Sequence, residues 1–151
     1  MPKDETAPDG FVSSYLLYLL AAASEGASAE FHARVRAAGL RVQEWRVLAI
    51  LVEQDGAMIT RLAKFALMEQ SRLTRIIDQM IDKGFVRRAP DKDDGRRVRI
   101  WLTADGRTRA EALVSDASAH EADLLQELNT DDAERLKPAL KSLIVALEAR
   151  S

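Results

Sequence analysis

Along most of this chain the apolar positions recur with the period of a helix. The clearest case is "EQSRLTRIIDQMIDKG", where Leu73, Ile76, Ile77, Met80 and Ile81 fall at i, i+3, i+4, i+7 and i+8. That is one continuous apolar stripe, and Gly84 is a natural terminator for the helix it predicts. "VQEWRVLAILVEQ" (42–54) sets Trp45, Val47, Leu48, Leu51 and Val52 at mixed three- and four-residue spacing, a second helix ended by "DG" at 55 and 56. Before it, Phe11 to about Arg36 is rich in Ala, Leu, Glu and Arg without proline and reads as one long helix, broken at Gly39. "MIT" (58–60) is a short extended piece, and Thr60 is placed to cap a short helix, "RLAKFAL".

The pattern changes after Gly84. "FVRRA" and "RRVRIWL" alternate like strands, joined by a loop that opens "PDKDDG". From Thr103 to Leu128 the helical period returns, and "NTDD" caps a last helix whose first-turn acids complement the helix dipole. Pro138 lies inside that segment and is expected to kink or delay it. The predicted order is helix, helix, short strand, helix, helix, strand, loop, strand, helix, helix.

Composition narrows the class. The chain has 151 residues, 47% apolar and 30% charged, which suits one compact soluble unit and is too short for two ordinary domains. Its longest apolar run, "YLLYLLAAA" at 15–23, is half of the ~18 residues that span a bilayer. "MPKDETAPDG" is acidic and polar, unlike a signal peptide, and reads as a frayed arm. The absence of cysteine excludes disulfides, thiolate nucleophiles and thiol-based peroxide sensing. The expected compartment is the cytoplasm, with no membrane partner.

Charge distribution says more than the net value of −2. Between Thr60 and Thr103 there are eleven Lys/Arg against six Asp/Glu, a local balance of +5, and the rest of the chain carries −7. A basic middle between acidic ends is the footprint expected of a protein that meets a polyanion.

The loop "PDKDDGRRVRIWLT" admits three readings. As a calcium loop it fails: glycine stands fifth rather than sixth, Leu102 occupies the place of the closing glutamate, and three arginines follow. As a plain hairpin its charges would simply be solvated. The third reading comes from context, because a short helix, a turn and a striped helix form a helix-turn-helix. The outward face of the striped helix carries Gln70, Ser71, Arg72, Thr74, Arg75 and Gln79, side chains that donate to phosphates and read base edges. Asp78 shares that face and is expected to pair with Arg75 or Arg72. The loop then becomes a wing, with Arg96 as the finger tip and Asp94 holding Arg96 or Arg97 extended. Thr60 and Lys64 of the preceding helix, with Lys92 and Arg97 of the loop, complete the expected DNA-binding set.

The run "SRLTRIIDQMIDKGFVRRAPDKDDGRRVRIWLT" resembles the core of the MarR family of bacterial transcriptional regulators. The matching positions are Gly84-Phe85-Val86, Asp91 with Asp94 and Arg96, then Val98, Ile100, Leu102 and Thr103. The departures are Leu67-Met68 in the turn, where the family often has glycine, and "MIDKG" for the commoner "LEEKG". The resemblance covers nearly the whole chain. It implies a mainly α fold with a small β-hairpin wing in three parts: an N-terminal arm and dimerisation helix (1–37), a winged helix-turn-helix (38–103), and C-terminal dimerisation helices (104–151).

It also implies a homodimer that binds double-stranded DNA at a palindromic operator, as a ligand-responsive repressor. The apolar surface of "FVSSYLLYLLAAASEGASAEF" and "LIVAL" agrees with a dimer. The effector implied is a small aromatic acid or phenol, not a cofactor, held by Tyr15, Tyr18, Phe31, His32, Trp45 and Arg46. Arg46 suits a carboxylate and the aromatics a ring. Core packing for Trp45, a capping or solvent role for His32, and an ion pair from Arg46 to Glu25, Glu30 or Asp55 remain alternatives. An enzyme is not expected, because His32 and His120 are far apart in the chain and form no catalytic constellation. The competing class is a winged-helix protein–protein module that does not touch DNA.

Overall fold

The computed structural model describes residues 10–151. The arm expected at the N-terminus therefore lies almost wholly outside the described residues. The chain divides into two compact units at Leu40/Arg41.

The first unit holds α1 (Phe11–Ser14) and α2 (Leu16–Ala37). The single long helix expected here is interrupted at Tyr15, whose φ of −73° and ψ of 124° are extended. Before the break, the Ser13 hydroxyl donates to Gly10 O and accepts from Gly10 N–H, a capping arrangement at the start of α1. Gly39, at φ +80°, ends the segment as expected.

The second unit contains α3 (Val42–Glu53), β1 (Ala57–Met58), α4 (Ile59–Ala66), α5 (Gln70–Asp82), β2 (Val86–Pro90), β3 (Val98–Leu102), α6 (Ala104–Gln126) and α7 (Thr130–Glu148). The sheet is antiparallel in the order β1-β3-β2, so the short extended piece before α4 becomes the third strand of what the sequence suggested was a hairpin. Its register pairs Ala57 with Ile100, and β2 pairs from Val86–Leu102 to Pro90–Val98. Helix α4 starts two residues earlier than expected, directly from β1. Met58 takes the N-cap position and Thr60 sits exposed within the first turn.

The core is built from the stripes read in the sequence. Val47, Leu48 and Leu51 of α3, Leu62 and Ala66 of α4, and Leu73, Ile77 and Met80 of α5 are all buried, with Val86 and Ile100 from the sheet. Two joints fix the hairpin to α6. Thr103 caps α6 by accepting from Gly106 N–H at 3.0 Å, and its hydroxyl lies 2.6 Å from Gly84 O. Asp55 accepts from Leu102 N–H at 2.9 Å and pairs with Arg107 at 2.7 Å, so one carboxylate ties the end of α3 to β3 and α6. Asn129 caps α7 through Asp132 N–H, and α7 runs through Pro138 as one helix.

Candidate nucleic-acid interface

Burying Leu73, Ile76, Ile77 and Met80 turns the opposite face of α5 to solvent, and Gln70, Ser71, Arg72, Thr74, Arg75, Asp78 and Gln79 are all exposed. Their states differ. Among the described residues Arg72 and Arg75 have no ion-pair partner, and both guanidinium groups are available to an external anion. The Thr74 hydroxyl donates back to Gln70 O at 2.9 Å. Gln79 is engaged, its amide oxygen accepting from the Arg41 guanidinium. The expected pairing of Asp78 with Arg75 or Arg72 does not form. Arg88, on neighbouring β2, takes Asp78 at 2.7 Å instead, a contact between strand and helix that local spacing could not reveal.

The turn before α5 adopts the geometry that glycine normally supplies. Leu67 is left-handed at φ 57°, ψ 46°, and Met68 N–H closes the turn on Ala63 O at 3.0 Å. On α4, Thr60 and Lys64 are exposed, but Lys64 lies 3.4 Å from Glu148 of α7. Arg61, absent from the sequence-based set, is exposed over the Phe65 ring at 4.7 Å with no ion-pair partner among the described residues. The available signal was its place on the first helix of the motif, the one that crosses the DNA backbone.

The wing loop is braced from within. Asp91 N–H donates to Arg97 O at 2.9 Å and Arg97 N–H to Asp94 O at 3.0 Å. The Asp94 carboxylate accepts from the Arg96 backbone N–H at 3.1 Å and lies 3.6 Å from Arg97 Nε. Asp94 thus shapes the turn at Arg96 and orients the side chain of Arg97. Arg96 and Lys92 are exposed without an ion-pair partner among the described residues. Arg99 instead turns inward, donating to Asp91 and to Gly56 O, each at 2.8 Å. The Arg99 hydrogen bond outweighs desolvation and holds the Asp91 carboxyl below the usual aspartate range. Asp91 and Asp94 of this loop serve its arginines, and no group of three or more His, Cys, Asp or Glu suited to a metal ion occurs among the described residues.

The residues expected to hold an effector fall in both units. Tyr15 and Tyr18 are exposed, Phe31 is buried and His32 half-buried in the first. Tyr15 stacks on Phe11 at 4.9 Å between centroids. Trp45 and Arg46 are half-buried on α3 in the second. Trp45 lines a trough of about 320 Å³ between α3 and α6 with Ala49, Val52, Val114, Ala117 and Ser118. Asp55 pairs with Arg107, and Glu30 with Arg34 at 3.3 Å.

Glu44 is a residue that sequence reasoning missed, because nothing in the local pattern marks its burial. It is wholly buried at the third position of α3, yet carries a charge. One oxygen accepts from Arg41 N–H at 2.9 Å, Arg41 Nε lies 3.4 Å away, and Lys83 Nζ reaches both oxygens at 2.9 Å. Burial pushes the carboxyl up, but the bonds and charges of Lys83 and Arg41 outweigh it and hold the group below the usual glutamate range.

A helix-turn-helix with a braced basic wing is the build of a winged-helix regulator, and comparison with known proteins agrees. The MarR family model matches residues 40–98. A solved MarR family transcriptional regulator of Silicibacter pomeroyi is 60% identical, superposes with a TM-score of 0.84, and covers 92% of this chain and 99% of its own. The homoprotocatechuate degradative operon repressor of Escherichia coli is 31% identical over 105 residues, 68% of this chain and 71% of that protein. BpsR of Bordetella bronchiseptica, whose DNA binding is regulated by 6-hydroxynicotinic acid, shares the fold at a TM-score of 0.77 and 23% identity, over 90% of this chain and 96% of its own. Curated relatives are matched over 44% to 91% of their own lengths. The chain belongs to the MarR family of transcriptional regulators. No helix among the described residues is long and apolar enough to cross a membrane.

Proposed function

We propose that this protein is a double-stranded DNA-binding transcriptional repressor that acts as a homodimer on a palindromic operator and releases it on binding a small aromatic acid. Regulators of this family bind DNA as dimers and respond to small-molecule effectors. The observation that carries the reading is the state of the exposed cations: Arg72 and Arg75 on α5 and Arg96 on the wing are unpaired among the described residues, while Arg88 and Arg99 are neutralised by Asp78 and Asp91. Fixed cations with no internal partner favour an external anion, here the phosphates and guanine edges of a duplex. In this assignment α5 fills the major groove, Gln70, Ser71, Arg72, Thr74 and Arg75 face it, and the wing places Arg96 and Arg97 at the flanking backbone or minor groove with Lys92 beside them. Thr60, Arg61 and Lys64 meet phosphates from α4. Two-fold symmetry would set half-sites about 34–36 Å apart.

For the effector, an aromatic carboxylate suits the guanidinium of Arg46 and the indole face of Trp45 on α3; the aromatic side chains of the first unit, Tyr15, Tyr18 and Phe31, and His32 offer the same chemistry on their own unit. This reading is in keeping with a relative named as the repressor of a homoprotocatechuate degradative operon and a fold neighbour whose DNA binding is regulated by 6-hydroxynicotinic acid.

Fluorescence anisotropy on random duplex at two salt concentrations tests the DNA assignment. Each neutralised phosphate should contribute about −0.9 to the log–log slope. Arg96→Ala should weaken binding with little change in sequence preference. Arg75→Ala should also relax preference, by about 1–3 kcal/mol at one position. Absence of binding at either salt would favour a protein–protein module instead.

A further inference from the structure

We infer that Glu44 is the positioning residue of α5, fixing the helix by both its C-terminal end and its outer face, and that Gln79 serves this bracket rather than reading a base. The inference rests on the DNA-binding reading above, because its consequence is sequence discrimination.

The geometry is a bracket. Lys83, the C-cap residue of α5, donates to both Glu44 oxygens. Arg41 spans the same carboxylate and Gln79 of α5, with Nε toward Glu44 and Nη2 toward the Gln79 amide oxygen. Helix α5 is thus tied to α3 at two points four residues apart, one turn along the helix. Its N-cap, Glu69, has no side-chain capping bond, so the directional restraints gather at the C-terminal half.

An apolar stripe alone leaves a helix some freedom to roll, since hydrophobic burial is non-directional. Charge-assisted hydrogen bonds are directional and strengthen where water is excluded. A carboxylate with no exposed surface is costly to keep as structure, and replacing a buried ion pair with apolar residues is often neutral or stabilising. Its presence beneath the proposed recognition helix is accounted for if it sets the roll of that helix. A base contact tolerates little misplacement, because its hydrogen bonds fail outside a narrow range of distance and angle.

Gln79 is then a tethered residue. Its amide oxygen is occupied by Arg41, and bidentate recognition of adenine needs both ends of the amide. The two roles give different signatures. A base reader loses discrimination at one position of the half-site, whereas a loosened helix loses it across every position that α5 touches.

The experiment uses the full chain and an operator recovered from genomic fragments that the parent binds. Affinity is measured for this operator, for each single-base variant of one half-site, and for random duplex. Glu44→Gln and Arg41→Met are compared with the parent well below their unfolding temperatures, and Lys83→Arg serves as the conservative rescue. Glu44→Gln and Arg41→Met should each lower the operator-to-random ratio roughly tenfold, spread over the α5 positions, with the random-duplex salt slope unchanged. Lys83→Arg should keep the parent ratio. A folded Arg41→Met with the parent ratio, or a loss confined to one base pair, overturns the proposal. If Glu44→Gln does not fold, Arg41→Met decides alone, because it leaves Lys83 on Glu44. A parent that binds no duplex removes the DNA reading itself, a result separate from a parent that discriminates equally well with or without the bracket.

Discussion

Glu44 has no exposed surface and its carboxyl is held below the usual glutamate range by Lys83 and Arg41 against the opposing pull of burial. The sign of the linkage follows from that direction. A depressed folded-state pKa contributes stability above the unfolded value, near 4.5, and loses it as pH falls through the lower folded value. Glu44→Gln should therefore cost roughly 1–3 kcal/mol at neutral pH. The gap between parent and variant in urea midpoint should narrow as pH drops from about 5 toward about 3, and a constant gap would contradict the assignment. Leu67 offers the opposite case. It is 82% exposed and left-handed, so it buries little and holds a backbone conformation that glycine adopts freely. Leu67→Gly should raise stability by about 0.5–1 kcal/mol, read as an increase in Tm. The departure from the family pattern was visible in the sequence, but not that the turn would keep the left-handed geometry.

Elements were more legible than their joints. The α5 stripe, both wing strands and the Thr103 and Asn129 caps follow from local periodicity and side-chain chemistry, and the structure places them where the pattern does. Contacts distant in sequence were not legible: β1 closing on β3, Arg88 taking Asp78, and Lys83 reaching Glu44 across 39 positions. The seam between α6 and the residue before β2 is another such joint, and it is closely packed. A Cβ at Gly106 would fall 1.9 Å from Phe85 O, a backbone atom that cannot rotate away. Gly26, inside α2, has nothing within 4 Å. The same exchange should therefore act in opposite directions: Gly106→Ala lowers stability by about 2 kcal/mol or more through overpacking, and Gly26→Ala raises it by about 0.5–1 kcal/mol through helix propensity. Thermal unfolding of the pair separates steric from intrinsic effects.

Across the whole chain, each unit by itself leaves large apolar side chains uncovered. In the first unit Leu16 is 55% and Leu17 58% exposed, and in the second Ile144 is 55% and Val145 65% exposed. Large apolar side chains left this exposed are candidates for a protein–protein interface, and a stable homodimer needs to bury roughly 1,000 Å² or more. Sedimentation equilibrium should give twice the single-chain mass of 16.8 kDa. Leu17→Asp and Ile144→Asp should each shift the population toward single chains and weaken operator binding at low protein concentration, without loss of helical signal. A monomeric parent would leave the exposed leucines unexplained and remove the basis for a palindromic site.

The indole of Trp101 lies so close over Gly56 that a Cβ there would meet it at 2.5 Å, and Arg87 rests 5.6 Å above its ring. Pinned at the wing root yet only half-buried, this chromophore is a built-in optical reporter: its emission wavelength follows the local polarity. With Trp45 replaced by Phe, a single fluorophore would follow the wing as duplex is added, so the protein carries its own label for a stopped-flow binding trace.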